Sequence, residues 1–281
     1  MKINAKTKLC IIIGDPVDHS LSPAMHNAGY EALGISDKFV YIAANVKVEN
    51  VKDVIKAMRV MGFRGLTCTI PHKIEVIKYL DKIDPIAEKI GAVNTVVNDG
   101  GVLIGYNTDW LGVVIPLEKE TDLTGKKAAI IGAGGAARAM AYGLIARKSK
   151  VTIFNRTFEK GRNLAHEIGG DCNGCSMENI DEAIGDFDII LNATSLGMGK
   201  NVGLSPISKS KIKSHQIVFD AVYVPYETQL LLDAGSVGAT AIHGTEMLLH
   251  QGIAQFELYT GQKAPEEVMR KALNDQLSKA V

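Results

Sequence analysis

Residues 127 to 145 read KAAIIGAGGAARAMAYGLI: an apolar run, a glycine turn, then a segment of helical period with Gly132, Gly134 and Ala137 spaced as G-x-G-x-x-A. In a strand–turn–helix unit the first glycine permits the tight turn and the second lets backbone approach a pyrophosphate. The small third residue lets the helix pack on the strand. Backbone N–H groups of the loop, from Gly132 through Ala133, Gly134 and Gly135 to Ala136, then face the phosphates of a dinucleotide. Glycine turns also serve plain strand–helix packing, but the flanking elements here are those of a dinucleotide-binding unit.

About twenty residues past such a turn, an NAD-binding unit places Asp or Glu against the ribose hydroxyls. This chain has Asn155, Arg156 and Thr157 there instead. With no carboxylate to repel it, a 2′-phosphate can sit between the Arg156 guanidinium and the Thr157 hydroxyl, with Lys160 one helical turn further on. That favours NADP(H) over NAD. Thr157 can equally cap the helix FEKGRNLAHEI while Arg156 and Lys160 face water, and capping is compatible with phosphate binding.

Two further stretches carry side chains that could act on a small molecule. GLTCTIPHK, residues 65 to 73, runs as a strand into Pro71 and delivers Lys73 just past its end, where a lysine is commonly a solvated helix-start residue. In GDPVDHSLSPAMHNAGY, Ser22 before Pro23 forms a good N-cap and N1 pair. Ser20 is left over, and two hydroxyls at a helix N-terminus can also hold a small carboxylate. Asn27, about one turn into that helix, would face the same space.

Cys10, Cys68, Cys172 and Cys175 include one CNGC pair. Zinc would need two more ligands at compatible spacing, and a redox dithiol would open a helix in a βαβ unit. Neither context is present, no histidine pair has metal spacing, and the thiols read as reduced. No metal is expected.

The elements that must position these groups form an α/β pattern. Apolar runs of about five residues alternate with helix-period segments, which argues for parallel sheets. LCIII, FVYIA, GLTCTI and VNTVV read as strands in the first part; KAAIIG, KVTIFN, DIILNAT and QIVFDAV do so in the second. PAMHNAGYEAL and VKDVIKAMRVM read as helices between the first strands, and after AIHG the chain is helical to its end. The stretch NTDWLGVVIPLEKETDLTGKK marks a change of domain. With 281 residues, 46% hydrophobic and 22% charged, two domains fit the length. Lys+Arg and Asp+Glu both number 31, so the net charge of +0 points to neither nucleic acid nor an anionic membrane as partner. The N-terminal apolar run is broken by Gly14 and Pro16, too short to span a bilayer. A soluble cytoplasmic protein is expected.

SLSP, TIPHK, GAVNTV, GYNTDWLG, GAGGAARA, NRT, NATSLGM, DAVYVP and GTEMLLHQG occur in this order, and together they resemble the shikimate dehydrogenase family from about Gly14 to Gly252. The resemblance implies NADPH-dependent reduction of 3-dehydroshikimate to shikimate, in aromatic amino-acid biosynthesis. It implies an N-terminal α/β substrate domain, residues 1–109 completed by 244–281, and a Rossmann-type doubly wound domain, residues 110–243. Carried over by motif, Ser20 and Ser22 bind the substrate carboxylate with help from the Tyr223 hydroxyl. Asn27, Thr69, Asn94 and Gln251 bind ring hydroxyls or orient the lysine, and Lys73 and Asp109 fall on the catalytic pair.

Reducing a ketone puts negative charge on oxygen as hydride arrives, so the site needs a cation or proton donor there, and Lys73 is one. Asp109 would fix the ammonium, while Pro71 ends the strand and sets the direction in which Lys73 leaves it. Ala193, Ser195, Val222 and Gly244 would lie near the ribose or nicotinamide, with strand-end turn chemistry the alternative for Ser195. Trp110, His26, His72 and His250 read as packing or hydrogen-bonding residues. His72 departs from the bulky apolar residue that many relatives carry before the lysine; it would either shift the lysine's pKa or face solvent. The rival enzyme is a quinate or dual quinate/shikimate dehydrogenase. The rival of another class is a non-catalytic metabolite sensor, against which intact Lys73 and Asp109 argue. Relatives occur as monomers and homodimers.

Overall fold

The computed structural model describes residues 3–278. In chain order the first part comprises β1 (Lys8–Gly14), α1 (Ser22–Ala32), β2 (Phe39–Asn45), α2 (Val51–Met61), β3 (Gly65–Cys68), α3 (His72–Glu75), β4 (Lys82–Ile83), α4 (Pro85–Ile90), β5 (Thr95–Asp99) and β6 (Val102–Tyr106). Then follow α5 (Asp109–Glu120), β7 (Lys127–Ile131), α6 (Gly135–Ala146), β8 (Lys150–Asn155), α7 (Phe158–Ile168), β9 (Cys172–Ser176), α8 (Ile180–Ala183), β10 (Ile189–Asn192), β11 (Ile217–Asp220), α9 (Gln229–Ser236) and β12 (Thr240–Ile242). The chain ends with α10 (Gly244–Thr260) and α11 (Glu266–Leu277).

Two compact units result, one of residues up to Thr108 with those from Leu249 onward, the other Asp109–Leu248. Asp109 therefore opens the second unit, and the chain returns to the first at Leu249, not at residue 244. The reason lies in α10, which runs unbroken through the return point. Its Met247 is buried in the core of the second unit, and the Gly112 backbone on α5 lies against the Met247 carbonyl.

The first unit holds a six-stranded sheet in the order β2-β1-β3-β5-β6-β4. β1 pairs in parallel with β2 and β3, but β5 runs antiparallel to both β3 and β6. The expectation of a parallel sheet fails here because Asp99 pairs with Val102 across Gly100 and Gly101. Both glycines have positive φ, 63° and 95°, as a two-residue hairpin requires. On one face Ile11, Ile13, Leu66, Val93 and Val96 pack with Val51, Ile55 and Met58 of α2. Tyr30 of α1 packs against Phe256 of α10, with ring centroids 5.1 Å apart, and α1 also packs against α11.

The second unit's sheet has the order β9-β8-β7-β10-β11-β12, parallel throughout. This is the doubly wound dinucleotide-binding order, with its switch point between β7 and β10, where ligands bind beyond the carboxyl ends of the strands. Apolar side chains bury both faces, as a parallel sheet demands. Cys172 packs on one face of this sheet and Cys175 on the other. Neighbouring in sequence, the two thiols point apart, and all four cysteines are free.

Candidate active site

Lys73 is delivered by a turn that adjacent strands pin down. β1 and β3 are neighbours, so the segments leaving them run together: the Asp15 N–H donates to the Ile70 carbonyl (3.1 Å) and the Thr69 N–H to Ile13 (2.9 Å). The peptide bonds before Pro16, Pro71 and Pro225 are cis. His72 donates its backbone N–H to Thr69 (2.8 Å), and the Lys73 carbonyl accepts from Val93 (2.8 Å). Lys73 is thereby held half-buried on the short helix α3. Its neighbour His72 does not face solvent. The ring is fully buried toward the backbone of Gly14 and Val46 and the Asp15 carboxylate, and burial holds its pKa below the usual imidazole range.

Asn94 is the centre of a buried polar cluster. Its Oδ1 accepts from the Thr108 N–H (2.8 Å) and the Thr95 hydroxyl (2.7 Å). Its Nδ2 donates to Thr108 Oγ1 (2.9 Å) and, at 3.4 Å, to Gln251 Oε1. Asn107 donates its Nδ2 to the Ala92 carbonyl (2.9 Å). The backbone immediately before Asp109 is thus held by side chains at both preceding residues. Thr95 and Thr108 are not singled out as site residues by the sequence, although the stretches GAVNTV and GYNTDWLG carry them.

The serines depart in part from expectation. The α1 N-cap position is Leu21, which makes no side-chain cap, and Ser22 is the first helical residue, 1% exposed. The helix start is instead held by Ser20, whose Oγ accepts from the Ser22 N–H (3.3 Å). Both ends of the Asn27 amide are engaged by β2. Asn27 donates Nδ2 to the Tyr41 carbonyl (2.8 Å) and accepts the Tyr41 N–H (2.9 Å). β2 is an edge strand, and Asn27 satisfies the Tyr41 N–H and C=O on its open edge.

In the second unit the glycine loop has the shape that a pyrophosphate requires. Gly132 leaves β7 at φ 110° and donates to the Phe154 carbonyl (2.8 Å). Gly134 stands at the N-cap of α6, which has no side-chain cap, and a Cβ on Gly134 would meet nothing within 4 Å. Open space thus fronts the uncapped amides of Gly135 and Ala136, while Ala137 is fully buried against the sheet. The residues present fit a dinucleotide. At the end of β8, Asn155 Nδ2 donates to the Thr157 carbonyl (2.7 Å). Thr157 holds the N-cap position of α7 without making a side-chain cap bond. Arg156, Thr157 and Lys160 are exposed, and among the described residues their side chains have no partner.

β10 and β11 each end on a buried polar residue, Asn192 and Asp220. Asp220 accepts from Asn192 Nδ2 (2.9 Å), the Val222 N–H (3.0 Å) and the Thr228 hydroxyl (2.7 Å), and burial raises its pKa despite those bonds. Asn192 Oδ1 accepts from the Thr194 N–H (3.0 Å) and its hydroxyl (2.7 Å). This pair shapes the two loops that carry Ala193, Ser195, Val222 and Tyr223, and neither residue was singled out from sequence. The signal was a polar residue closing each apolar run. Ser195 uses its carbonyl for turn bonds from Met198 (3.3 Å) and Asn201 (3.4 Å), leaving its hydroxyl exposed. Gly244 backs against the Val222 carbonyl, and burial pushes the Tyr223 phenol up to about 12.

Among the described residues no group of three or more His, Cys, Asp or Glu gathers as a metal site, and no helix is long and apolar enough to cross a membrane. Family models match three segments: residues 12–96, shikimate dehydrogenase substrate binding domain; residues 116–220, shikimate / quinate 5-dehydrogenase; residues 244–273, shikimate 5'-dehydrogenase C-terminal domain. The shikimate dehydrogenase (NADP(+)) of Methanocaldococcus jannaschii is 44% identical over 284 residues, covering 99% of this chain and 100% of that protein. A crystal structure of a shikimate dehydrogenase in complex with NADP+ matches with TM-score 0.91 at 42% identity, covering 98% of this chain and 97% of that one. Quinate dehydrogenase from Corynebacterium glutamicum in complex with NAD matches with TM-score 0.88 at 31% identity, covering 96% and 99%.

Proposed function

This chain belongs to the shikimate dehydrogenase family, and from that premise we propose that it interconverts 3-dehydroshikimate and shikimate with NADP(H). The observation that carries the reading is 44% identity, over the full length, to an NADP-dependent shikimate dehydrogenase, in a chain whose turn after β8 carries Arg156 and Thr157, with Lys160 in the first turn of α7, their side chains without a partner among the described residues.

When bound, a nicotinamide would supply the hydride. The chain supplies position and charge. Gly132 to Ala136 offer backbone amides to the pyrophosphate, with Arg156, Thr157 and Lys160 at the 2′-phosphate. Asn155 shapes that turn through its bond to the Thr157 carbonyl. Ala193, Ser195, Val222 and Gly244 would line the ribose and nicotinamide. Ser20, Ser22 and Tyr223 take the carboxylate, which fixes the ring, while Thr69, Asn94 and Gln251 take its hydroxyls. Lys73 brings a cation and a transferable proton to the reacting oxygen, with Asp109 as its partner. Asn27 is given a structural part in this reading, since both ends of its amide serve Tyr41. The protein acts in the cytoplasm on small molecules, as a monomer or homodimer.

A second reading, activity on quinate as well, is favoured by the likeness to the quinate dehydrogenase above. The test is NADPH formation from shikimate and NADP, measured beside Lys73→Met. Loss of turnover in that variant with NADP binding retained supports the reading. Unchanged turnover in Lys73→Met, or none in the parent protein, refutes it.

A further inference from the structure

We infer that Gln255 is a positioning residue for this reaction, fixing through Thr95 the amide orientation of Asn94 and with it the Thr108 backbone beside Asp109. The inference rests on the roles proposed above for Asn94 and Asp109.

Gln255 lies on α10, one turn beyond Gln251, and is fully buried. Its Oε1 accepts from the Thr67 hydroxyl (3.2 Å), and its Nε2 donates to Thr95 Oγ1 (3.0 Å). A hydroxyl has one proton to give. That of Thr67 goes to Gln255, so the Tyr41 and Tyr259 hydroxyls, 2.7 and 2.9 Å away, both donate to Thr67. Thr95 receives from Gln255, so its own proton goes to Asn94 Oδ1. With that oxygen also receiving the Thr108 N–H, the Asn94 NH2 must turn to Thr108 Oγ1 and Gln251. Donors point one way from the tyrosines to Asn94, and Gln255 is the amide that joins the two threonines. Reversing it would draw the Thr95 proton to Gln255 and leave Thr95 Oγ1 facing Asn94 Oδ1, acceptor against acceptor, in a buried place where an unmade bond is expensive.

The wild-type direction does not depend on pH near neutrality. Titratable side chains around the cluster are His26 and Tyr30 on α1, Tyr41 on β2, Cys10 on β1, Cys68 on β3 and Tyr259 on α10, with His26 against Gln255 itself. Burial holds His26 down to about 3 despite that contact, pushes both thiols up to about 12, and raises all three phenols. All six stay neutral. The charges acting on them are Lys73 toward Cys68, and Arg64 and Lys8 toward Cys10.

Gln255→Glu places one titrating group at the junction. When protonated, Glu can donate to Thr95 as the amide does. When ionised, it accepts from both threonines and draws the Thr95 proton away from Asn94. Burial lifts a carboxyl's pKa toward neutrality, so both forms are accessible. The expected result is a variant-to-wild-type ratio of kcat/KM for shikimate near one at low pH, falling about tenfold as pH rises, the size of one lost hydrogen bond. KM for NADP stays the same, and circular dichroism at each pH checks that the variant is folded. A ratio that does not vary with pH overturns the inference.

Thr95→Val carries no charge and should lose about the same factor at every pH, with Thr95→Ser restoring it. Wild-type kcat/KM in Thr95→Val also overturns it. If the parent protein turns over nothing, the proposed function fails instead. The inference is then decided by NMR of the Asn94 side-chain amide: movement with pH in Gln255→Glu but not in wild type supports it, and no movement in either refutes it.

Discussion

Arg156→Ala isolates the cofactor argument. The side chain is exposed on the turn between β8 and α7 and has no partner among the described residues, so its removal takes nothing from the fold. Its whole effect should fall on the ligand. A charge-assisted hydrogen bond to phosphate contributes about 1.5–3 kcal/mol, which converts to a rise of roughly 10- to 150-fold in KM for NADP. NAD lacks the 2′-phosphate, so its kcat/KM should not move. Stability should stay within about 0.5 kcal/mol, as for an exposed, unpaired surface residue. Initial rates against each nucleotide, with a thermal melt beside them, read all three quantities. Equal losses with NADP and NAD would assign Arg156 some other task, and no loss with NADP would remove the phosphate from this turn. Arg156→Asp, which adds repulsion, should carry the NADP/NAD ratio further in the same direction.

Asn27→Ala should lower stability by about 1–3 kcal/mol by leaving the Tyr41 backbone unpaired, with KM for shikimate unchanged; a large rise in that KM would return Asn27 to the substrate. Asp220→Ala strands three buried donors and should cost roughly 3–6 kcal/mol in urea denaturation, while also raising KM for shikimate through the Tyr223 loop. The raised pKa of Asp220 means that the fold favours its neutral form, a contribution present at acid pH and lost as pH rises through the folded value. Asp220→Asn, which mimics that form, should therefore be milder than Ala, and equal damage would contradict this. His26 is buried neutral with its pKa held down to about 3, so only the unfolded chain takes up a proton below the ordinary imidazole value. Stability should fall by about 1.4 kcal/mol per pH unit on acidification between those two values. His26→Phe, which keeps the stacking on Tyr41, should remove that slope, and an unchanged slope would exonerate His26.

What could be read from the sequence was what local chemistry encodes. The glycine turn, the Asn155–Thr157 triplet and the lysine after Pro71 each lie within one strand-to-helix junction, and their neighbours in sequence are their neighbours in space. What could not be read depends on pairing across the chain. Thr67 and Gln255 are 188 residues apart, and no spacing rule joins them. Asn27 looks the same from sequence whether it faces a ligand or an edge strand, and only the position of β2 decides. His72 turned inward because the carboxyl ends of β1 and β3 lie side by side. The return to the first unit at Leu249 was hidden because α10 crosses it without a break. The antiparallel hairpin of β5 and β6 did leave a mark, the two glycines after Asp99. β4 and β12, only two and three residues long, are too short for any period to register.

The most direct test of the central claim is kcat/KM for purified protein with each of four pairs: shikimate or quinate, with NADP or NAD. The prediction is that shikimate with NADP exceeds shikimate with NAD by at least about tenfold, the scale of one charge-assisted bond to the 2′-phosphate, and exceeds both quinate pairs. Equal or faster turnover with quinate or with NAD would contradict it.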